Sequence, residues 1–131
     1  MTSKIRDMNN TEFALAGKQS VLHFLTKRNL LEHEALIALL LTETLIPIDV
    51  KVQPTMVLDK SEIIQLAQWA SEKQAAGMLL VEVHPRLKSW PCLETDLRRL
   101  RAELFNSDVN LLDLLVVEGD AIKSKFFSAL R

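Results

Sequence analysis

The chain has 131 residues, of which 48% are hydrophobic and 25% are charged, and this length and balance are typical of one globular domain. Its 16 basic and 17 acidic side chains leave a formal net charge of −1, which excludes an overall field that attracts nucleic acid or an acidic membrane. The single cysteine, Cys92, excludes an internal disulfide, and no apolar run approaches the roughly 20 residues that span a bilayer.

The start of the chain changes from polar to periodic. Residues 1–9 are polar and aperiodic, which predicts a flexible arm and does not resemble a secretory signal. We therefore expect a cytoplasmic protein with a single domain over residues 10–131. Apolar residues at helical spacing, with basic residues at the end, predict a first helix over residues 11–28 in which Gly17 is the one weak helix former.

A hairpin is predicted next. Residues 35–41 are apolar throughout, which is typical of a strand covered on both faces, although the composition alone would also permit a buried helix. Residues 48–52 alternate apolar with polar side chains, and Pro47 excludes a helix interior. The two segments together predict an antiparallel hairpin that turns near residues 42–44.

The second half of the chain alternates helices with strands. Asp59 or Ser61 is suited to cap a second helix, whose predicted buried stripe is Ile63, Ile64, Leu66, Ala67 and Ala70. After it the pattern predicts a strand over residues 78–84, a loop over 85–91, a helix over 94–105 and a strand over 111–117 that turns at 118–120. A tail with Phe126, Phe127 and Leu130 is predicted to pack back on the core. This order predicts an α/β (α+β) fold, with helices flanking a mixed β-sheet.

Three segments carry a resemblance to a known family. Glu34 stands at the head of the first apolar strand, the second helix leads into the Gly77–Pro85 strand end, and the run Pro91–Leu100 is followed by Leu111–Val117. In this order they resemble the RadC-like branch of the JAB/JAMM (MPN-type) metallohydrolase family over about residues 18–131. The resemblance implies the layered architecture that the JAMM family shares with cytidine deaminases.

The resemblance also implies a zinc site. In the family two histidines and an aspartate hold the ion, and the positions that correspond to them here are Glu82, His84 and Thr95. Only His84 keeps the family's ligand type. Asp96, one residue past Thr95, would complete an unusual Glu82, His84 and Asp96 ligand set if the preceding loop holds an extra residue.

Two further positions correspond to catalytic groups of the family. The general base that acts on the zinc-bound water falls on Glu34, which keeps its type, and the serine that polarises the carbonyl falls on Cys92. A Cys92 thiolate paired with His84 is an alternative interpretation, since a helix N-terminus lowers a thiol pKa. Without a metal, Glu34 is a charged residue at a strand start and His84 is a strand-end histidine that is hydrogen-bonded or solvated.

The loop that follows the predicted strand end differs from the family's open, glycine-containing loop. Residues 86–90 are bulky and lack glycine, so Trp90 and Arg86 are candidates for a contact with a partner. Trp69 follows a buried helical stripe and is predicted to belong to the core. The arginines of the third helix are interleaved with acidic residues, which favours a solvated face over a nucleic-acid surface.

These departures predict a RadC-like domain that has lost zinc hydrolysis and acts as a pseudoenzyme, a binding or interaction module with no cofactor. The partner would be another protein or a second copy of the chain. The first alternative is a zinc-dependent hydrolase of peptide or isopeptide bonds with the unusual ligand set. The second is a nucleic-acid-binding protein linked to DNA repair, which the family label and the arginines suggest.

Overall fold

The computed structural model describes residues 14–53, 58–84 and 94–124, and in this part of the chain three helices pack on a five-stranded sheet. The helices are α1 (Lys18–Lys27), α2 (Lys60–Glu72) and α3 (Glu94–Asn106). The strands are β1 (Ala35–Leu41), β2 (Pro47–Gln53), β3 (Gly77–His84), β4 (Asn110–Glu118) and β5 (Ala121–Ser124). The fold is mixed α/β, as the sequence predicts. No helix within the described ranges is both long and apolar enough to cross a membrane.

The sheet is mixed, with the strand order β2-β1-β3-β4-β5. The central strand β3 is antiparallel to β1 and parallel to β4, and α3 makes the connection between the two parallel strands. The hairpins β1-β2 and β4-β5 are antiparallel. In the second hairpin Gly119 adopts a φ of 60°, the left-handed conformation that glycine tolerates without strain.

Helices cover both faces of the sheet, which explains why β1 and β3 are buried throughout. On one face, here the α2/α3 face, α2 and α3 bury alternate residues such as Leu36, Leu40, Met78 and Leu80. On the other, the α1 face, the buried residues include Ile37, Leu39, Leu79 and Val81. A strand buried on both faces needs no polar alternation, so β1 and β3 confirm the strand predictions made from continuous apolar runs.

The helix α2 begins where the sequence predicts it. Asp59 accepts the backbone N–H of Glu62 at 2.8 Å, and the Glu62 carboxylate accepts the backbone N–H of Asp59 at 2.9 Å. This reciprocal pair is a capping box and fixes the helix start. The predicted buried stripe is right except at Ile64, which is 36% exposed. The stripe runs through Ile63, Leu66, Ala67 and Ala70, the spacing of one helical face, and Ile64 lies beside it.

The predicted start of the first helix is wrong. Helix α1 begins at Lys18, and its N-cap Gly17 is extended, with a φ of −152°. Leu15 is buried outside any helix, where its backbone N–H donates to the carbonyl of Leu45 at 2.8 Å. Leu15 is buried by an extended segment, yet its spacing from the apolar residues of α1 resembles a helical period. The predicted helix start was therefore placed too early. The predicted arm over residues 1–9 lies outside the described residues.

The sequence analysis also missed a strand. Residues 121–124 form β5 beside β4, in a stretch that was predicted as part of a tail. The strand is only four residues long and has no fully buried side chain, so it leaves little hydrophobic signal. The phenylalanines and the leucine of the predicted tail lie outside the described residues.

Candidate functional site

The C-terminal end of β3 gathers the polar residues that the sequence analysis singled out. Glu82 and His84 continue the alternation of Met78 and Leu80, and therefore point to the α2/α3 face. Ala35 of β1 is paired with Val83 in the antiparallel register. Glu34, the residue before Ala35, is thereby brought alongside His84.

The imidazole of His84 lies between two carboxylates. Its Nε2 is 2.9 Å from Oε1 of Glu82, a buried hydrogen bond in which both residues are almost sealed from solvent, at 5% and 0% exposure. Its Nδ1 is 3.6 Å from Oε2 of Glu34, too far for a hydrogen bond. The Glu34 side chain is 45% exposed, so one carboxylate is internal and the other lies at the surface.

The pairing explains how two ionisable side chains are accommodated in the interior. A buried carboxylate is expensive in free energy unless hydrogen bonds replace the water it loses. The Nε2 contact supplies such a bond to Glu82, two residues back on the same face of one strand. This matches the metal-free interpretation of His84 as a hydrogen-bonded strand-end histidine, in a buried rather than a solvated setting.

These residues do not fit the zinc site that the family resemblance implies. The two ring nitrogens of an imidazole point to opposite flanks of the ring, and Glu82 and Glu34 lie on different flanks of His84. Glu34, the counterpart of the general base, therefore lies on the flank away from Glu82, and only Asp96 is left to complete the three protein ligands that a catalytic zinc site needs. Across the described ranges, no three His, Cys, Asp or Glu residues are arranged to hold a metal ion.

The first turn of α3 carries the remaining ligand candidate. Thr95, the position that corresponds to the family's aspartate, is exposed, whereas Asp96 is only 8% exposed. Consecutive helical residues differ by about 100° in direction, so Asp96 is the one that faces inward with Leu97 and Leu100. A carboxylate in a first turn is also favoured by the helix dipole, which gives Asp96 a structural role that requires no metal.

A further carboxylate lies beside this site and was missed by the sequence analysis. Glu118 is the register partner of His84 in the parallel pair β3-β4, and its carboxylate is 3.5 Å from the Lys123 ammonium group. A signal was present, since the carboxyl ends of parallel strands meet at one edge of a sheet. The pairing of these two strands could not be read from the sequence alone.

Other candidates lie elsewhere. Cys92, Trp90 and Arg86 are outside the described residues, and the structure therefore gives them no position relative to His84. The three arginines of α3 are exposed, as a solvated helix face requires: Arg98, Arg99 and Arg101. His23 and His33 are exposed as well.

Comparison with known proteins adds no family to this picture. No protein-family model matches the chain, and no curated protein matches it. The likeness to RadC-like JAMM domains therefore rests on the three segments named above and on what their residues can do chemically.

Proposed function

We propose that this chain is a RadC-like JAMM-fold domain that has lost zinc-dependent hydrolysis and works as a binding or interaction module. One observation carries the loss of activity. Glu82, which stands where the family has a zinc-binding histidine, is hydrogen-bonded to Nε2 of His84, the nitrogen that faces it across 2.9 Å. The two side chains bond to each other, and the ligand set that remains is too poor to hold a catalytic ion.

The charge of the site supports the same conclusion. Replacing an imidazole with Glu82 makes the ligand set more negative, which lowers the Lewis acidity of a bound zinc ion and its power to ionise water. Glu34, the counterpart of the general base, faces Nδ1. Glu34 and Glu82 thus lie on different flanks of the imidazole, which does not suit a base that would act on a water bound beside Glu82.

The binding role is supported by apolar surface on the edge strand β2. Ile48 and Val52 are 37% and 47% exposed and lie on the same side of the strand. Next to them a concavity of about 450 Å³ runs between α1 and β2, with Phe24 and Leu30 in its wall. Contiguous exposed apolar side chains around a hollow are typical of contact surfaces.

Metal content is the decisive measurement for the loss of activity. Protein purified without added zinc should contain far less than one equivalent, and it should not cleave peptide or isopeptide substrates when zinc is supplied. His84→Ala should change neither result, because no metal is bound through that imidazole. Stoichiometric zinc that disappears in His84→Ala would refute the proposal.

The hydrolase is the second candidate, and one observation favours it. Glu34, Glu82 and His84 meet at one end of the sheet, and Asp96 is buried at the start of the helix that follows β3. Rotation of the Glu82 and His84 side chains would be needed before a metal ion could enter. The same metal measurement separates the two functions, since only the hydrolase requires a full equivalent of zinc.

A further inference from the structure

The strand β2 has one open side. Among the described residues it pairs only with β1, and its own residues alternate in character between the two faces of the sheet. Ile48, Val50 and Val52 lie on the α1 face, whereas Asp49 and Lys51 lie on the α2/α3 face beside Trp69. An edge strand of this kind presents backbone groups to which another strand can be added.

The hydrogen bonds of Val50 identify the backbone groups that face outward. Its N–H donates to Oδ1 of the neighbouring Asp49 at 2.8 Å, which indicates that this N–H faces the open side of the strand. In an antiparallel pair the backbone groups of alternate residues point to the same side. The N–H and C=O groups of Val50 and Val52 therefore point away from β1, whereas Ile48 lies at the register shift of the β1-β2 pair, where this alternation is interrupted.

The sequence of β2 is complementary to itself when it is reversed. If two β2 strands lie antiparallel with Val50 opposite Val50, then Asp49 of one copy is opposite Lys51 of the other, twice. Ile48 is likewise opposite Val52, twice, on the other face. Opposite charges and β-branched residues that face each other across strands each stabilise a pair, and a twofold axis makes every such contact occur twice.

We propose that two copies of this chain associate through their β2 edges, antiparallel about a twofold axis at Val50, and so form a homodimer with one continuous sheet. The outward backbone groups of Val50 would bond to those of Val50 in the second copy. The exposed side chains of Ile48 and Val52 would cover each other beside the α1 concavity. The occupant of the edge is a second copy because the charges of β2 are matched by β2 itself.

Asp49 accepts the outward N–H of Val50 in the separate chain. In the dimer it would exchange this hydrogen bond for an ion pair with the second copy. Its Oδ2 accepts from Trp69 Nε1 at 3.1 Å and lies 3.4 Å from the Lys73 ammonium group, contacts that the dimer retains. Its Oδ1 would release the Val50 N–H, which then donates to the Val50 carbonyl of the second copy. The carboxylate gains Lys51 of the second copy as an ion-pair partner, so neither the Val50 N–H nor the Asp49 carboxylate is left without a partner.

Charge reversal gives a test that separates dimer contacts from folding. Sedimentation over a concentration series should reveal a monomer-dimer equilibrium for the natural chain. Asp49→Lys places lysines opposite lysines, and Lys51→Asp places aspartates opposite aspartates, so each variant alone should dimerise about tenfold more weakly or worse. An equimolar mixture of the two variants should recover the dimer, because each lysine of one variant's β2 then faces an aspartate of the other's. Glu43→Lys, the same charge change in the exposed β1-β2 turn, should leave the equilibrium unchanged.

Two results of the sedimentation experiment would overturn the proposed dimer. A chain that stays monomeric at all concentrations overturns it and leaves the edge to a strand of another protein. A dimer that tolerates both charge reversals, or that mixing does not restore, places the interface elsewhere and also overturns it. The proposal rests on β2 alone, so the zinc measurement has no bearing on it.

Discussion

The carboxylate of Glu82 lies 2.9 Å from Nε2 of His84, two residues further along β3, and both side chains are buried. Residues two apart on a strand share a face, so this contact needs no contribution from a loop. The pair therefore belongs to the C-terminal end of the central strand β3. This position, beside Glu34, corresponds to the zinc site of the family that the sequence resembles.

The buried pair should behave as one energetic unit. Removing one partner takes the hydrogen bond between them away from the other buried ionisable group, so His84→Ala should lower the free energy of unfolding by about 3 kcal/mol. Glu82→Ala should have a similar effect, and the double variant should lose at least about 1 kcal/mol less than the sum of the two. Urea unfolding of all four proteins measures this coupling.

A surface pair provides the control for that cycle. Glu118→Ala removes an ion pair with Lys123 in which the two side chains are 41% and 67% exposed, and it should change stability by less than about 1 kcal/mol. Strict additivity of the two buried substitutions would show that Glu82 and His84 do not depend on each other.

Restoring the family's ligand should restore zinc affinity if the resemblance is real. Glu82→His replaces the carboxylate with an imidazole beside His84, and Asp96 faces inward at the start of α3. We expect zinc to bind this variant at least about tenfold more tightly than the natural chain, a gain of the size that changes around metal sites commonly produce. Competition with a fluorescent zinc chelator gives the measurement without any assay of activity.

Glu82→Gln is the matched control because it removes the charge and keeps the shape without adding a nitrogen ligand. It should bind zinc no better than the natural chain. Equal zinc affinity of the Gln and His variants would mean that β3 does not correspond to the zinc-binding strand of the JAMM family, and the proposed ancestry would then have to be abandoned.

Sequence patterns anticipated the parts of this fold that depend on burial and local chemistry. Apolar runs predicted β1 and β3, and the choice of Asp59 or Ser61 as a cap predicted the start of α2, which the structure places at Asp59. These signals are local. Each strand is a run of seven or eight consecutive buried residues, and the cap of α2 lies three positions before its partner Glu62.

The parts of the fold that depend on pairing between distant segments could not be predicted from the sequence. The placement of Glu118 beside His84 results from the register between β3 and β4, which α3 separates in sequence. The inward direction of Asp96 depends on where α3 begins, a boundary that one residue decides. The proximity of Glu34 and His84 was anticipated only through the family resemblance, because the two residues are 50 positions apart in sequence.

The stability contribution of Asp49 should depend on pH. The backbone N–H of Val50 lowers the pKa of Asp49 below its ordinary 3.8, against the opposing effect of burial and with help from Trp69 and Lys73. Because the folded-state pKa lies below the unfolded one, the contribution is complete above 3.8 and is lost as the pH falls through the folded value.

Asp49→Asn should therefore be less stable than the natural chain at neutral pH, and the difference should vanish in acid. The side chain is 37% exposed, so solvent screening keeps the loss below about 1 kcal/mol. Urea unfolding at neutral pH and at a series of pH values descending well below 3.8, through the folded-state pKa of Asp49, compares the two proteins. A difference that grows in acid would contradict the assignment of this carboxylate as the stabilising group.

The register beside the site depends on Gly77, where added volume should be harmful. A Cβ at Gly77 would lie 2.8 and 2.9 Å from the Cδ1 and Cγ atoms of Leu112, the residue that is extra in β4 at the shift between the pairs of Met78 and Leu79. This bulge makes Glu118, rather than Val117, the partner of His84. Gly77→Ala should lower the free energy of unfolding by about 1 to 3 kcal/mol, the usual effect of overpacking.

Adding Leu112→Ala should recover part of that loss, because it removes the side-chain atoms that the new methyl group meets. Ala76→Gly, in the adjacent turn, shows the effect of backbone freedom alone. If Gly77→Ala is as stable as the natural chain, the Leu112 side chain must be able to adopt another rotamer. The close contact at Gly77 would then not fix the register that aligns Glu118 with His84.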